Sequence, residues 1–348
     1  MSGIFEPLRI RGIELKNRIV FAPVVTNFGL RNQQAREYYA ERAKGGVGLI
    51  IVHGTPVDLL VKAQWAQSLS PLATAVHEQG AKIVLQLWHG NELNEQKVAP
   101  SPRESCREIT HEEIRTVVEK FAAAARHSLR AGFDGVEVHG AHGYFIHQFF
   151  SPLTNQRSDE YGGNAEKRML LGMELTVAMR EAMKEGGLLL YRHSAIDGIP
   201  GGSSLAESAR FARALQNHWL DVIDVSAGMG GGDEFSIPTF SAPEGTHADL
   251  AAQIKAQVTI PVIAVGKVQT RAGAEKILRE GKGDLVAFGR QLLADPYWPK
   301  KVKEGREDEV VFCTYCNHCT EEMYAGRPIS CPQNPNLGRE VSYPSFRA

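Results

Sequence analysis

In the stretch VEVHGAHGYFIHQFFSP, His139 and His142 stand three residues apart, with Tyr144 just beyond, where an apolar run gives way to glycine. Such a set can do three things. The imidazoles can donate hydrogen bonds to a substrate oxygen on which charge develops, while the phenol delivers a proton. They can ligate zinc, although no carboxylate or third histidine has a clear ligand spacing and His147 lies further along. Or they can act as hydrogen-bonded linkers in a tight glycine-rich loop. Elsewhere, Arg192 in LLLYRHSA is flanked by apolar residues and needs an anionic or acceptor partner, expected above it. Gln86 in VLQLWHG offers a donor and an acceptor together, which suits an imide edge or a structural bond to a neighbouring strand end. VGKV and FGRQLLADP pair Gly266 with Lys267 and Gly289 with Arg290. Glycine lets backbone N–H groups approach a phosphate and the cation supplies charge; the alternative is a pair of ordinary turns with Arg290 salt-bridged at the surface. Finally, Cys313, Cys316, Cys319 and Cys331 are spaced C-x2-C-x2-C-x11-C, which suits metal or cluster ligation in a reducing compartment better than a disulfide framework.

Residues so far apart in sequence need a fold that gathers them. Short runs rich in Val, Ile and Leu recur eight times: RIVFAP, GLIIVHG, KIVLQLWHG, GVEVHGA, LLLYRHSA, VIDVSAG, PVIAVGK and DLVAFGR. Most lack polar alternation, as parallel strands buried on both faces require. Helical stretches separate them. The clearest begins at a Thr110–Glu113 capping box, keeps helical spacing through Ile114, Val117, Val118, Phe121, Ala125 and Leu129, and stops at Gly132. Others start near Ala165, Ser204, His247 and Thr270. Eight βα units predict an α/β fold, a (β/α)8 TIM barrel, with an open doubly wound sheet as the alternative. A barrel places its chemistry at the C-terminal strand ends. Those ends carry Pro23 and Val24, His53 and Gly54, Gln86 and His89, His139 and His142, Arg192, Gly228, Gly266 and Lys267, and Gly289 and Arg290. The preceding FEPLRIRGIELKN reads as a hairpin able to plug the opposite end. The expected division is a barrel over 1–308 and a cysteine-rich extension over 309–348.

Composition removes other classes. The 348 residues are 43% hydrophobic, and 39 basic residues face 40 acidic ones for a net charge of −1, so no electrostatic footprint for nucleic acid or an anionic membrane is present. No apolar run approaches the ~20 residues of a membrane span, and no leader sequence is evident, so a cytoplasmic location is expected.

Together NRIVFAPVVTNF, LQLWHG, AGFDGVEVHGAHGYFIHQFFSPLTNQRSDEYGGNAEKR, LLLYRHSAIDG and FGRQLLADP resemble the successive signatures of the old yellow enzyme family, from about Phe5 to Asn336. The block from Ala131 to Arg168 is the most specific. The segment CTYCNHCTEEMYAGRPISCPQNP is similar to the branch containing 2,4-dienoyl-CoA reductase and trimethylamine dehydrogenase. The resemblance implies a non-covalent FMN, with Ala22, Pro23, Val24, Val25 and Gly54 against the ring, Gln86 at its pyrimidine edge and Arg192 beside N1 and O2. Gly266, Lys267, Gly289 and Arg290 would hold the phosphate. NAD(P)H would give hydride to the flavin, and an α,β-unsaturated carbonyl compound would take it from N5 at its β-carbon. His139 and His142 would grip the carbonyl oxygen and Tyr144 would protonate the α-carbon. The four cysteines would bind a [4Fe–4S] cluster, with zinc as the rival.

The sequence departs from the family in several places. Val24 stands where Met is usual and Val25 where many members have a polar group. Asn91 replaces an Arg after WHG, so a loop contact is expected to be missing. The middle cysteine gap is one residue short. The larger cluster-bearing relatives continue into nucleotide-binding domains, so electrons are expected here directly from NAD(P)H or through a separate partner protein. A flavin and iron–sulfur amine dehydrogenase or demethylase, and an electron-transfer subunit, are the competing readings. A homo-oligomer is expected by analogy, and the substrate-selecting loop is placed at Gly228 to Thr239.

Overall fold

The computed structural model describes residues 3–103, 105–184, 186–230 and 235–341. Part of the expected substrate loop, 231–234, and positions 342–348 of the C-terminal segment lie outside them. Each expected strand is present: β1 (Ile19–Phe21), β2 (Leu49–Pro56), β3 (Lys82–Trp88), β4 (Gly135–Gly140), β5 (Leu188–Ser194), β6 (Val222–Ser226), β7 (Val262–Ala264) and β8 (Leu285–Phe288). They pair in parallel and in chain order. Val286 of β8 lies opposite Ile19 of β1, so the sheet closes into an eight-stranded barrel and the doubly wound alternative falls away.

The uninterrupted apolar runs have a direct cause. Residues of one parity, such as Val136 and Val138, face the surrounding helices. Those of the other parity, including Val20, Leu49, Ile51, Val84, Leu188, Leu190, Val222, Ile263 and Leu285, fill the barrel interior. Both faces are therefore buried. The hairpin Leu8–Ile10 with Ile13–Leu15 packs Ile10 and Leu15 into that interior cluster, so it plugs the N-terminal end as expected.

The helix His111–Arg130 shows the predicted capping box, with Thr110 Oγ1 accepting from Glu113 N. Ser204, His247 and Thr270 each stand at an N-cap, and Gly132 turns at φ +95° beyond the helix end. After β8 the chain runs through two short helices, Arg290–Ala294 and Trp298–Lys303, into the cysteine segment. That segment is fastened to the barrel. Gln291 accepts from Cys313 N and donates to Val311 O, Ile329 N reaches Thr26 O, and Asn27 Nδ2 reaches Met323 O. Fully buried Arg42 pairs with Glu340 at 3.2 Å.

Candidate active site

At the C-terminal strand ends lies a cavity of about 380 Å3. Ala22, Pro23, Val24, Val25, Gly54, Gln86, His139, His142, Tyr144, Arg192, Gly266, Lys267, Gly289 and Arg290 all line it. The barrel thus brings together every strand-end residue that the sequence singled out for catalysis or cofactor binding. The size lies in the range of small-molecule and cofactor sites.

The loop after β4 is tightly held. His142 adopts φ +58° and Gly143 φ +70°, two successive left-handed residues. A Cβ on Gly143 would lie 2.3 Å from Met229 O, so only glycine fits there. Ser194 Oγ accepts from His142 N at 3.0 Å and donates to Gly228 O at 2.8 Å. Beneath, Gly143 N donates to His147 Nδ1 at 2.8 Å, and His147 Nε2 faces Asp197 Oδ1 at 3.1 Å. Ser151 and Ser203 each donate to the same carboxylate at 2.6 Å. His147 is therefore a buried support of the loop and not a third ligand beside His139 and His142.

The rings of His139 and His142 stand perpendicular at 5.4 Å, and Tyr144 lies 4.8 Å from His139 and edge-on to Trp88 at 5.7 Å. Burial, reinforced by the nearby Arg192 charge, holds both imidazoles well below the usual histidine range, so both are neutral at pH 7. Burial raises the Tyr144 phenol, which keeps its proton. His142 Nε2 is already engaged with Ser226 Oγ at 2.7 Å. The expected pair of imidazole donors is thus one imidazole and one imidazole–hydroxyl unit, and Ser226 itself lines the cavity.

Arg192 has an anion beside it: Asp224 lies directly opposite on β6, at 2.8 Å, while Arg192 also lines the cavity. Gln86 donates from Nε2 to Glu137 Oε2 on β4 at 2.7 Å, so the neighbouring-strand bond exists while the residue also lines the cavity. Gly54 follows an irregularity in β2 and stands close to Gln86; a Cβ there would lie 3.3 Å from Gln86 Oε1.

At the other end, Gly266 has φ +124° and Lys267 φ +53°. Lys267 Nζ reaches Phe240 O and Ala242 O, while Arg290 reaches Asn317 Oδ1 and, at 2.7 Å, Pro238 O. Both cations lie over the Tyr315 ring, at 4.9 Å and 4.6 Å. Among the described residues, Arg290 makes no salt bridge; its partners are Asn317, Pro238 O and the Tyr315 ring. A Cβ on Gly289 would meet a single neighbour, Val24 Cγ2 at 3.9 Å, so the backbone there faces open cavity. Open backbone of this kind leaves room for a ligand to approach closely.

Cys313, Cys316, Cys319 and Cys331 converge on one small pocket, and Arg290 and Cys319 line both it and the main cavity. Burial pushes the Cys313 thiol up to about 11 and raises Cys319 and Cys331. Among the described residues, the one trio of His, Cys, Asp or Glu donor atoms within 4.8 Å of one another is His111, Asp159 and Glu160 at the surface, so no three cysteine sulfurs lie that close. Asp159 is there already neutralised by Arg157.

Asn91 does not leave a contact missing. Its amide exchanges two hydrogen bonds with Gln148, at 2.8 Å and 3.0 Å, and so ties the excursion after β3 to the short helix Phe145–Phe150 that follows β4. Sequence reasoning passed over Trp88, Glu137, Asp224, Ser226 and Asp197. For Glu137, Asp224 and Ser226 a signal existed, since each is a polar residue on an inward parity of a strand whose outward parity is apolar.

The sequence profile of the NADH:flavin oxidoreductase / NADH oxidase family matches residues 3–309. The NADH oxidase of Thermoanaerobacter brockii is 39% identical over 99% of this chain, which spans 58% of that protein's length. The NADPH dehydrogenase of Geobacillus sp. (strain WCH70) is 36% identical over 85% of this chain and 92% of its own length. Among solved structures, a complex of 2-naphthoyl-CoA reductase superposes with a TM-score of 0.89 at 29% identity, covering 97% of this chain and 58% of that one. With its closed barrel and its matched length, the chain belongs to the NADH:flavin oxidoreductase / NADH oxidase family.

Proposed function

We propose that this chain is an FMN-dependent NAD(P)H oxidoreductase that reduces the C=C bond of an α,β-unsaturated carbonyl compound. FMN held there would accept hydride from NAD(P)H and pass it to the substrate's β-carbon. Gln86 would meet the imide edge, Arg192 the neighbouring carbonyl, and the Gly266–Lys267 and Gly289–Arg290 turns the phosphate. His139 and the His142–Ser226 unit would donate hydrogen bonds to the substrate oxygen as charge develops on it. Tyr144, protonated and beside His139, would protonate the α-carbon.

The observation that carries the reading is the cavity's electrostatics. Its described lining residues include the His139 and His142 imidazoles, the Ser226 and Tyr144 hydroxyls, two guanidiniums and an ammonium, a set rich in hydrogen-bond donors and positive charge. That favours an oxygen acquiring negative charge over the cationic amine of a dehydrogenase or demethylase.

We further assign residues 309–348 as a cysteine-rich extension on a barrel of 1–308, with Cys313, Cys316, Cys319 and Cys331 holding a [4Fe–4S] cluster. All four line one small pocket, as the ligands of a shared cluster must. The chain would take its electrons from NAD(P)H.

The test is an absorption spectrum of protein purified without oxygen, with iron and sulfide analysis, before and after NADPH and then 2-cyclohexenone. Flavin bands that bleach with NADPH and return with the enone are expected, over a broad iron–sulfur shoulder. Bleaching that the enone fails to reverse overturns the C=C reaction, zinc or no metal overturns the cluster, and no flavin after reconstitution overturns the whole assignment.

A further inference from the structure

The layer of side chains just beneath the cavity holds one cation and two carboxylates. Arg192 pairs with Asp224 through Nη1 and Oδ2. Glu137 lies opposite Gln86 in register and accepts from it. Glu137 and Asp224 are fully buried, and Glu137 Oε1, Asp224 Oδ1 and Arg192 Nε have no hydrogen-bond partner. The apolar interior cluster includes Val84, Leu190 and Ile263 from the same strands. Among the described residues, the groups that act on Glu137 are Arg192 from β5 and Asp224 from β6, with the neutral amide of Gln86 on β3.

We propose that Glu137 is held as the neutral acid, leaving Asp224 as the single counter-charge of Arg192, and that it acts as a positioning residue that points the Gln86 carbonyl oxygen into the cavity. With both carboxylates ionised the layer would carry an uncompensated negative charge with no solvent to screen it, and a buried group in that position takes up a proton instead. The proton belongs on Glu137 because Asp224 holds the guanidinium contact while Glu137 has only an amide. Burial, and then the Asp224 charge, push the Glu137 carboxyl well above its ordinary range, in the same sense. The bond to Gln86 fixes which oxygen is protonated. Oε2 accepts from the amide, so the hydrogen sits on Oε1. The amide nitrogen is thereby consumed, and Gln86 Oε1 is the atom left beside Gly54. A ring offering an N–H there and an acceptor beside Arg192 is selected, and a ring offering an acceptor at both places is rejected. This last consequence rests on the flavin reading; the protonation does not.

The infrared spectrum of the whole chain, free and FMN-reconstituted, tests it. A protonated-carboxyl C=O band is expected at pH 8, shifted when the glutamates carry 13C, unshifted when the aspartates do, and lost in Glu137→Gln. A band that follows the aspartate label, or survives in Glu137→Gln, places the proton elsewhere and overturns the proposal, as does the absence of any band. Should Glu137→Gln fail to fold, the two isotope labels on the unaltered chain decide alone. For the positioning role, FMN should bind at least 10-fold tighter than its N3-methyl derivative, which lacks the imide N–H; equal affinities overturn it. If the band is present but flavin never binds, the proposed function fails and the protonation stands. If flavin binds without the band, the reverse holds.

Discussion

Two glycines at the proposed phosphate end separate fold from ligand. Gly266 sits at φ +124°, and a Cβ there would lie 2.8 Å from the backbone nitrogen of His247. Gly266→Ala therefore meets a conformation that side chains rarely adopt, about 1–3 kcal/mol, and an overpacked backbone contact, about 1–3 kcal/mol. The apoprotein should lose about 2–6 kcal/mol of stability, and FMN affinity should fall with it. At Gly289 the added Cβ would meet only Val24 Cγ2, at 3.9 Å, so Gly289→Ala should cost the apoprotein about 1 kcal/mol or less. Yet that methyl group fills the space a phosphate would occupy. Losing close backbone contact with an anion is worth about 1.5–3 kcal/mol, or roughly 10- to 150-fold in Kd. Urea unfolding of the apoproteins gives the first quantity, and flavin fluorescence quenching the second. Riboflavin supplies the control: lacking the phosphate, it should bind Gly289→Ala as it binds the parent. If Gly289→Ala binds FMN within threefold of the parent, or weakens riboflavin as much as FMN, the cradle is wrongly placed.

Two more outcomes follow from the same geometry. Tyr144→Phe should slow reoxidation by an enone by roughly 10²- to 10⁴-fold while leaving bleaching by NADPH intact, resolved by stopped flow; equal losses in both half-reactions would remove Tyr144 from proton delivery. Acid should destabilise the fold in a defined window. Burial lowers His89 to about 4 and His193 to about 3 and holds His139 and His142 well below their usual range, so the folded chain keeps them neutral. The unfolded chain takes up protons below about pH 6.5, so stability is intact above that value and is lost as pH falls toward 4. At pH 5 His89 and His193 alone should contribute a loss of about 2 kcal/mol each, visible as a lower urea midpoint. An unchanged midpoint between pH 7 and pH 5 would contradict it. Glu113, held at about 2 by its hydrogen bond to Arg107, acts only on the acid side of this window.

The barrel was legible because parallel strands buried on both faces leave an unusual mark: GLIIVHG and LLLYRHSA cannot be read as amphipathic. The strand ends were legible because His139, Gln86 and Arg192 are polar where the run is otherwise apolar. What escaped were pairings between residues far apart in sequence. Nothing near Arg192 points to Asp224, 32 residues on, and nothing near His142 points to Ser226, 84 residues on; the pairing of β5 with β6 sets the first, and the loop after β4 reaching the end of β6 sets the second. Asn91 shows the converse. A residue read as a lost contact became half of a reciprocal amide pair, because Gln148 arrives from a helix that sequence spacing alone could not aim.

The hairpin that stoppers the barrel also governs traffic. With Ile10 and Leu15 sealing one end, the cavity opens at the other, and whatever enters must leave by the same door. On the proposed function, a hydride donor and a hydride acceptor would share that one cavity and would take turns in it. Double-reciprocal plots for the two should then run parallel, and either one in excess should hold the other out, a queue imposed by three residues of strand at the far end of the molecule.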